Sequence, residues 1–349
     1  MSFLIYGAYG YTGALIARAA IRRGLHPTLA GRDADRLRAR AEALGLPYRA
    51  FALSDAAALD AALDEVPCVL HCAGPFAYTA ASMAEGCLRT GTHYLDITGE
   101  IEVYEMLAAL DEPARAAGVM LLPGVGFDVV PTDCLAAHLH ARLPSATQLE
   151  LAIFSRGGVS HGTARTAIEQ LRQGGFVRRH GRLQEVPIGW RTRTVDFGEG
   201  PVAVTAIPWG DLATACRSTG IPNITTYMRL PRLVQQLAPL GAWIEPVLAS
   251  APVQALLEQY VERRPRGPSE AARARGESVV WGEAIDDAGA RVVARLYGPE
   301  PYDFTAEAAL AAAQRVLEGE APPGYQTPST AYGADFVLAV EGVEREDVE

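Results

Sequence analysis

Three glycines near the start of the chain, in Gly7-Ala8-Tyr9-Gly10-Tyr11-Thr12-Gly13, are the first residues whose type and spacing suggest chemistry. They lie between a short apolar segment, Phe3-Leu4-Ile5-Tyr6, and a helical pattern from Ala14 to Arg23. Glycine at such a junction lets the backbone turn tightly and approach a pyrophosphate. The helix N-terminus then offers N–H donors and its positive dipole end to the anion. The spacing is G-x-x-G-x-x-G, so the strand–turn–helix context carries the reading of Gly7, Ala8, Tyr9, Gly10, Tyr11, Thr12 and Gly13 as dinucleotide-binding residues. A second strand, Thr28-Leu29-Ala30, runs into Gly31-Arg32, where an NAD site carries an acid for the ribose 2′-hydroxyl. A guanidinium at Arg32 can pair with a 2′-phosphate and stack on adenine, so NADP(H) is expected. Asp33 is read as a helix N-cap. A small-residue turn, Ala73-Gly74-Pro75, follows the fourth strand and suits the nicotinamide half of the cofactor.

Reduction also needs a proton source near the ends of the fourth and fifth strands. The candidates there are Tyr78, His93, Tyr94, Asp96 and Asp128, of which Tyr78, Asp96 and Asp128 are taken as catalytic, each with a plainer alternative. Tyr78 could be a packed aromatic. Asp96 could hold the backbone of Thr98 or Gly99. Asp128 could cap the helix that begins near Pro131. No set of His, Cys and carboxylates has zinc spacing, and His138 and His140 do not share a helix face, so no metal is expected. Gly158-Val159-Ser160-His161-Gly162 matches the G-x-S-x-G of serine hydrolases. The only later histidine is His180, which leaves little room for the intervening acid, so this motif is read as a glycine-rich helix entry.

The elements that position these residues are legible in the first 127 residues, where strand and helix signals alternate as βαβ units of a parallel sheet. One long helix is expected over Glu102 to Ala117. Past Pro131 the pattern becomes α+β. Strands are expected at Gln148 to Phe154, Val202 to Ile207, Ser278 to Ile285 and Arg291 to Tyr297, the last two joined as a hairpin. A helix over Thr305 to Leu317, with Thr305 as N-cap, is expected to return to the first domain. The expected organisation is a Rossmann-type doubly wound domain of residues 1–127 plus 302–349. An inserted substrate and dimerisation domain, with a largely antiparallel sheet, takes residues 128–301.

Composition narrows the function further. The 349 residues carry a net charge of −10, which argues against a nucleic-acid partner. All 31 basic residues are arginine, which excludes Schiff-base chemistry and any lysine general base. Five cysteines without a C-x-x-C pair fit a reducing compartment, and no basic secretory n-region precedes the first strand, so a cytoplasmic protein is expected. Leu233 to Leu257 is the longest apolar stretch, but three prolines interrupt it. It is read as cover for an apolar pocket or an oligomer interface rather than as a membrane span or a membrane-surface contact.

The segments Gly7 to Gly13, Ala30-Gly31-Arg32, Cys72 to Phe76, Gly91 to Glu100 and Gly126 to Asp133 together resemble the saccharopine dehydrogenase-like oxidoreductases. Pro208 to Asp211, Ser218 to Asn223, Thr327 to Ser329 and Gly342 to Asp347 resemble its trans-acting enoyl reductase branch. The resemblance implies a Rossmann domain with an inserted α+β domain, a homodimer and NADPH-dependent reduction. It also implies a catalytic lysine for lysine-forming saccharopine chemistry, which this chain lacks. The leading expectation is therefore reduction of an activated double bond in a hydrophobic small molecule. Saccharopine-type C=N chemistry comes second, and a non-catalytic NADPH-binding protein third.

Overall fold

The computed structural model describes residues 2–158, 160–164, 168, 174–230, 250–263 and 266–348. The chain divides into two compact units. One is Met1–Val130 with Tyr302–Glu341, the other Pro131–Pro301 with Gly342–Glu349.

The first unit is built from β1 (Leu4–Tyr6), α1 (Tyr11–Arg22), β2 (Thr28–Gly31), α2 (Ala34–Leu44), β3 (Tyr48–Ala50) and α3 (Ala56–Leu63). There follow β4 (Cys68–His71), α4 (Ala80–Thr90), β5 (His93–Asp96), α5 (Ile101–Ala108), α6 (Asp111–Ala117) and β6 (Met120–Leu122). Its strands form one parallel sheet in the order β6-β5-β4-β1-β2-β3, extended beyond β6 by Gly324–Tyr325. The order reverses between β1 and β4, which is where open α/β sheets bind their ligands. The central strands are buried along their whole length, as helices on both faces require. Asp33 caps α2 by accepting from the Arg36 backbone N at 3.0 Å, as its position predicts. The single helix expected over Glu102 to Ala117 is two helices, interrupted at Ala109 and Leu110.

The second unit opens with α7 (Val130–Arg142) and β7 (Ala146–Arg156), then β8 (Gly175–Arg179), β9 (Arg182–Val186), β10 (Thr192–Asp196) and β11 (Pro201–Ala206). A helix at Asp211–Thr219 precedes β12 (Asn223–Met228), and β13 (Glu277–Asp286) and β14 (Arg291–Pro299) form the expected hairpin. The sheet is mixed. Among the described residues only the β7–β12 pair is parallel, in the order β10-β11-β12-β7-β13-β14, with β8 and β9 branching from β12. Glu344–Val348 adds a last antiparallel strand beside β14. Residues 342–349 thus belong to this unit and not, as expected, to the first. The backbone of Glu344 to Val348 pairs with the edge that β14 leaves open. One face of the sheet packs on α7, where a Cβ at Gly282 would lie 2.7 Å from Leu139 Cδ1. The other face curls around Ala152, Val195, Val204, Tyr227 and Trp281.

Pro301–Leu317 returns to the first unit and starts earlier than expected. Thr305 is therefore inside the helix and does not cap it. Its hydroxyl accepts from Phe127 N at 3.0 Å. Of the apolar stretch Leu233 to Leu257, residues 233–249 lie outside the described residues, and the remainder falls mainly in the helix Ala251–Glu262. Among the described residues no helix is long and apolar enough to cross a membrane.

Candidate functional site

The glycine turn is shaped by contacts that no side chain could share. Gly7 has φ +87°, and a Cβ there would lie 2.9 Å from Ala73 N and from the Cys72 carbonyl carbon. The first turn therefore rests directly on the backbone of the Ala73-Gly74-Pro75 turn. A Cβ at Gly13 would stand 2.5 Å from Gly7 O. The N–H groups of Gly7 and Ala8 both donate to Ala30 O, which ties the turn to β2. Gly10 is the N-cap of α1. No side chain caps this end, and no acid occupies its first turn. Closely approaching backbone, an open helix N-terminus and no competing carboxylate fit a dinucleotide pyrophosphate.

Arg32 follows β2 directly, is exposed, and has no side-chain partner among the described residues. A free guanidinium here fits a 2′-phosphate. Sequence reasoning missed Arg36, in the first turn of α2. Its guanidinium lies 4.4 Å from the centre of the Tyr9 ring, and its Nη2 donates to Tyr9 O at 3.3 Å. A Cβ at Gly31 would lie 2.7 Å from Tyr9 Cε1. Tyr9 is thus held between Gly31 and Arg36; helical spacing from Arg32 gave no signal for this, because Arg32 precedes the N-cap of α2.

Three loops meet at the C-terminal ends of β4, β5 and β6. In the first, Thr79 Oγ1 donates to Ala73 O at 2.8 Å and accepts from His71 Nε2 at 2.9 Å. His71 is fully buried, and burial holds its pKa down to about 3, so the imidazole stays neutral. Asp96 ends β5 and is also fully buried. It accepts from Tyr94 Oη at 2.5 Å, Thr98 N at 2.9 Å and Gly124 N at 2.8 Å, and so ties its own loop to the loop after β6. Burial nonetheless pushes its carboxyl up to about 7, because its donors are neutral. The structure favours the backbone-holding reading of Asp96.

Asp128 differs from it. The carboxylate makes no hydrogen bond among the described residues and does not cap α7. It rests on Gly99, whose added Cβ would lie 2.7 Å from Asp128 Oδ2. Desolvation first, and then the charge of Glu100, push it up to about 6. Glu100 is a second residue missed from sequence. It accepts from Phe76 N at 3.0 Å and Ala77 N at 2.7 Å, closing the loop after β4 onto the loop after β5. Tyr78 is not the packed aromatic of the plainer reading, since it is 75% exposed.

Ser160 of the hydrolase-like motif accepts from Thr163 N at 3.3 Å and starts a helical turn at 161–164. Val159 and most of the helix expected beyond Ala164 lie outside the described residues. Among the described residues no three His, Cys, Asp or Glu side chains are placed to hold a metal ion.

A parallel sheet reversing at β1/β4, with a glycine cradle and an arginine after β2, defines a dinucleotide-binding unit. More particularly, residues 3–122 match the family model described as the saccharopine dehydrogenase NADP binding domain. Among curated proteins, the chain is 30% identical over 214 residues to the trans-acting enoyl reductase of Mycobacterium tuberculosis (strain ATCC 25618 / H37Rv), covering 57% of this chain and 50% of that protein. It is 27% identical over 150 residues to the saccharopine dehydrogenase-like oxidoreductase of Mus musculus, covering 37% of this chain and 35% of that protein. The chain spans about half the length, or less, of these curated relatives. The saccharopine dehydrogenase (L-Glu forming) of Saccharomyces cerevisiae shares the fold over the full length of both chains, with a TM-score of 0.64 at 14% identity.

Proposed function

We propose that the protein is an NADPH-dependent reductase of an activated carbon–carbon double bond in a hydrophobic small molecule. The observation that carries this reading is the charge of the three loops. Residues 72–79, 96–100 and 123–128 contain Asp96, Glu100 and Asp128 but no arginine or histidine. An amino-acid imine brings carboxylates that such loops repel, whereas a neutral enoyl thioester brings none. The absence of lysine removes the lysine-assisted route to saccharopine chemistry, and the trans-acting enoyl reductase name of the relatives supports the same choice.

The chemistry an NADPH bound here would supply is a hydride for the β-carbon of the acceptor. Gly7 to Gly13 and the N-terminus of α1 would hold its pyrophosphate, Arg32 its 2′-phosphate, and Ala73-Gly74-Pro75 its nicotinamide end. Electron density then accumulates on the α-carbon and the carbonyl oxygen. Asp128, half-protonated near pH 6, gives the α-carbon a proton and regains one from water. Tyr78, exposed beside the same turn, is the alternative donor.

An NADPH-consumption screen against enoyl thioesters, imines and ketones tests the reading. Turnover of an enoyl thioester is expected, lost in Asp128→Asn. Turnover of imines alone would replace it with C=N reduction, and tight NADPH binding without any turnover would make the chain a binding protein.

A further inference from the structure

We propose that Glu100 is the positioning residue of this site. One carboxylate locks the turn after β4 by accepting from Phe76 N and Ala77 N, and it sets the proton affinity of Asp128 on the far side of Gly99. The inference rests on Asp128 as proton donor and extends it to a residue that acts through the loop after β4 and through Asp128.

Three observations carry it. First, Glu100 is only 9% exposed, and its two oxygens take the two backbone N–H groups separately, at 3.0 and 2.7 Å. A carboxylate accepts both bonds. A glutamine in the same rotamer accepts one and sets its own N–H₂ against the other donor. Second, Glu100 is itself fixed. Its backbone N donates to Thr98 Oγ1 at 3.1 Å, Thr98 N donates to Asp96, and the Tyr104 hydroxyl donates to Thr98 O. The carboxylate therefore sits on a braced loop. Third, Asp128 stands over Gly99, one residue from Glu100, with no hydrogen bond of its own among the described residues.

The groups facing Asp128 make Glu100 its electrostatic partner. From the end of β5 comes Asp96, engaged by three donors. The helix Pro301–Leu317 packs its uncharged Phe304 and Thr305 against Phe127 and Gly126. The loops themselves hold no arginine or histidine. A negative Glu100 disfavours a second negative charge nearby and so keeps Asp128 protonated closer to neutrality.

The test does not need an acceptor. Carboxyl ¹³C NMR follows the titration of Asp128 in the full chain, assigned by Asp128→Asn, and amide hydrogen exchange follows Phe76 and Ala77. In Glu100→Gln the Asp128 midpoint should fall by about one unit toward the ordinary carboxylate range. Exchange at one or both amides should also rise about tenfold or more. In Glu100→Asp the charge persists but the reach shortens, so the midpoint should stay within about 0.3 unit while the amides lose protection. A Glu100→Gln protein with an unmoved midpoint overturns the electrostatic half. Unchanged amide protection in Glu100→Asp overturns the clamp, including where Glu100→Gln fails to fold. If both readouts behave as stated but no acceptor is ever reduced, the positioning role stands and the reductase reading alone fails.

Discussion

Each unit buries carboxylates, and the two do so in opposite ways. In the first, Asp96 is surrounded by neutral donors: a phenol and two backbone N–H groups. In the second, Glu150 on β7 and Glu283 on β13 lie directly opposite each other in the antiparallel ladder, 7% and 3% exposed. Arg193 on β10 reaches across the curled face and donates to both, while Arg191 pairs with Glu150 at 2.9 Å and Arg291 with Glu283 at 3.1 Å. Arg193 also lies 4.8 Å from the Trp281 ring centre. Three guanidinium groups pair with the second set and staple its strands together. Without a cation the first set keeps protons within reach of neutral pH. The contrast separates carboxylates paired with cations from one held by neutral donors, although all are buried.

Breaking the first arrangement should give the largest effect. The raised Asp96 carboxyl binds its proton more tightly in the folded state. The stability it confers is full below the unfolded value near pH 4 and is lost as pH rises through about 7. Three units correspond to roughly 4 kcal/mol. Urea unfolding of the wild type between pH 4.5 and 8.5 should show this decline, and Asp96→Asn should flatten it. A variant with the wild-type slope would move the titration to another group.

In the second unit the expected loss is about 3 kcal/mol for Arg193→Met, because two buried carboxylates are left facing each other with only the outer arginines. Urea unfolding at pH 7 measures it. Adding Glu150→Gln and Glu283→Gln should recover most of the loss. No recovery would mean that Arg193 stabilises through Trp281 and apolar contact instead.

Asp128→Asn comes next. General-acid removal typically costs about 10²-fold or more in turnover, here with NADPH affinity unchanged. Steady-state kinetics on the acceptor identified by the screen separates the two. An equal fall in NADPH binding would recast Asp128 as a loop residue like Asp96.

What could be read from sequence follows the same division. In the first unit, alternating strands and helices, the glycine turn and the Asp33 cap are local patterns, and each element forms close to where its residues predict. The long helix over Glu102 to Ala117 is two helices because Pro113 has no N–H for the Ala109 carbonyl and its ring crowds that carbonyl, so the break at Ala109-Leu110 was legible from the proline. Strands β8, β9, β10 and β12 were not anticipated. Their burial is irregular, and non-local partners on a curled sheet decide it. Among site residues, Asp96 and Asp128 were visible as acids at strand ends, but their different roles were not. Asp96 differs from Asp128 through Tyr94 and Gly124, which no linear pattern brings together. Glu100 was quoted as part of a motif without a task, because its partners Phe76 and Ala77 lie in another loop.

The smallest predicted effect sharpens the electrostatic contrast from the cationic side. Arg32 stands free at the end of β2, whereas the neighbouring Arg36 is already engaged with Tyr9. A guanidinium kept out of ion pairs retains its full attraction for an incoming phosphate, but in solvent that attraction is modest. Arg32→Ala should therefore weaken NADPH about tenfold and leave NADH nearly unchanged, a loss of about 1.4 kcal/mol for the 2′-phosphate. Arg36→Ala should weaken both nucleotides alike, because it releases Tyr9 in the turn that approaches the shared pyrophosphate. Fluorescence titration of both nucleotides against the two variants checks this. If Arg36→Ala alone lowers the NADPH preference, the 2′-phosphate contact belongs to Arg36 and the exposed Arg32 is a solvated helix-start residue.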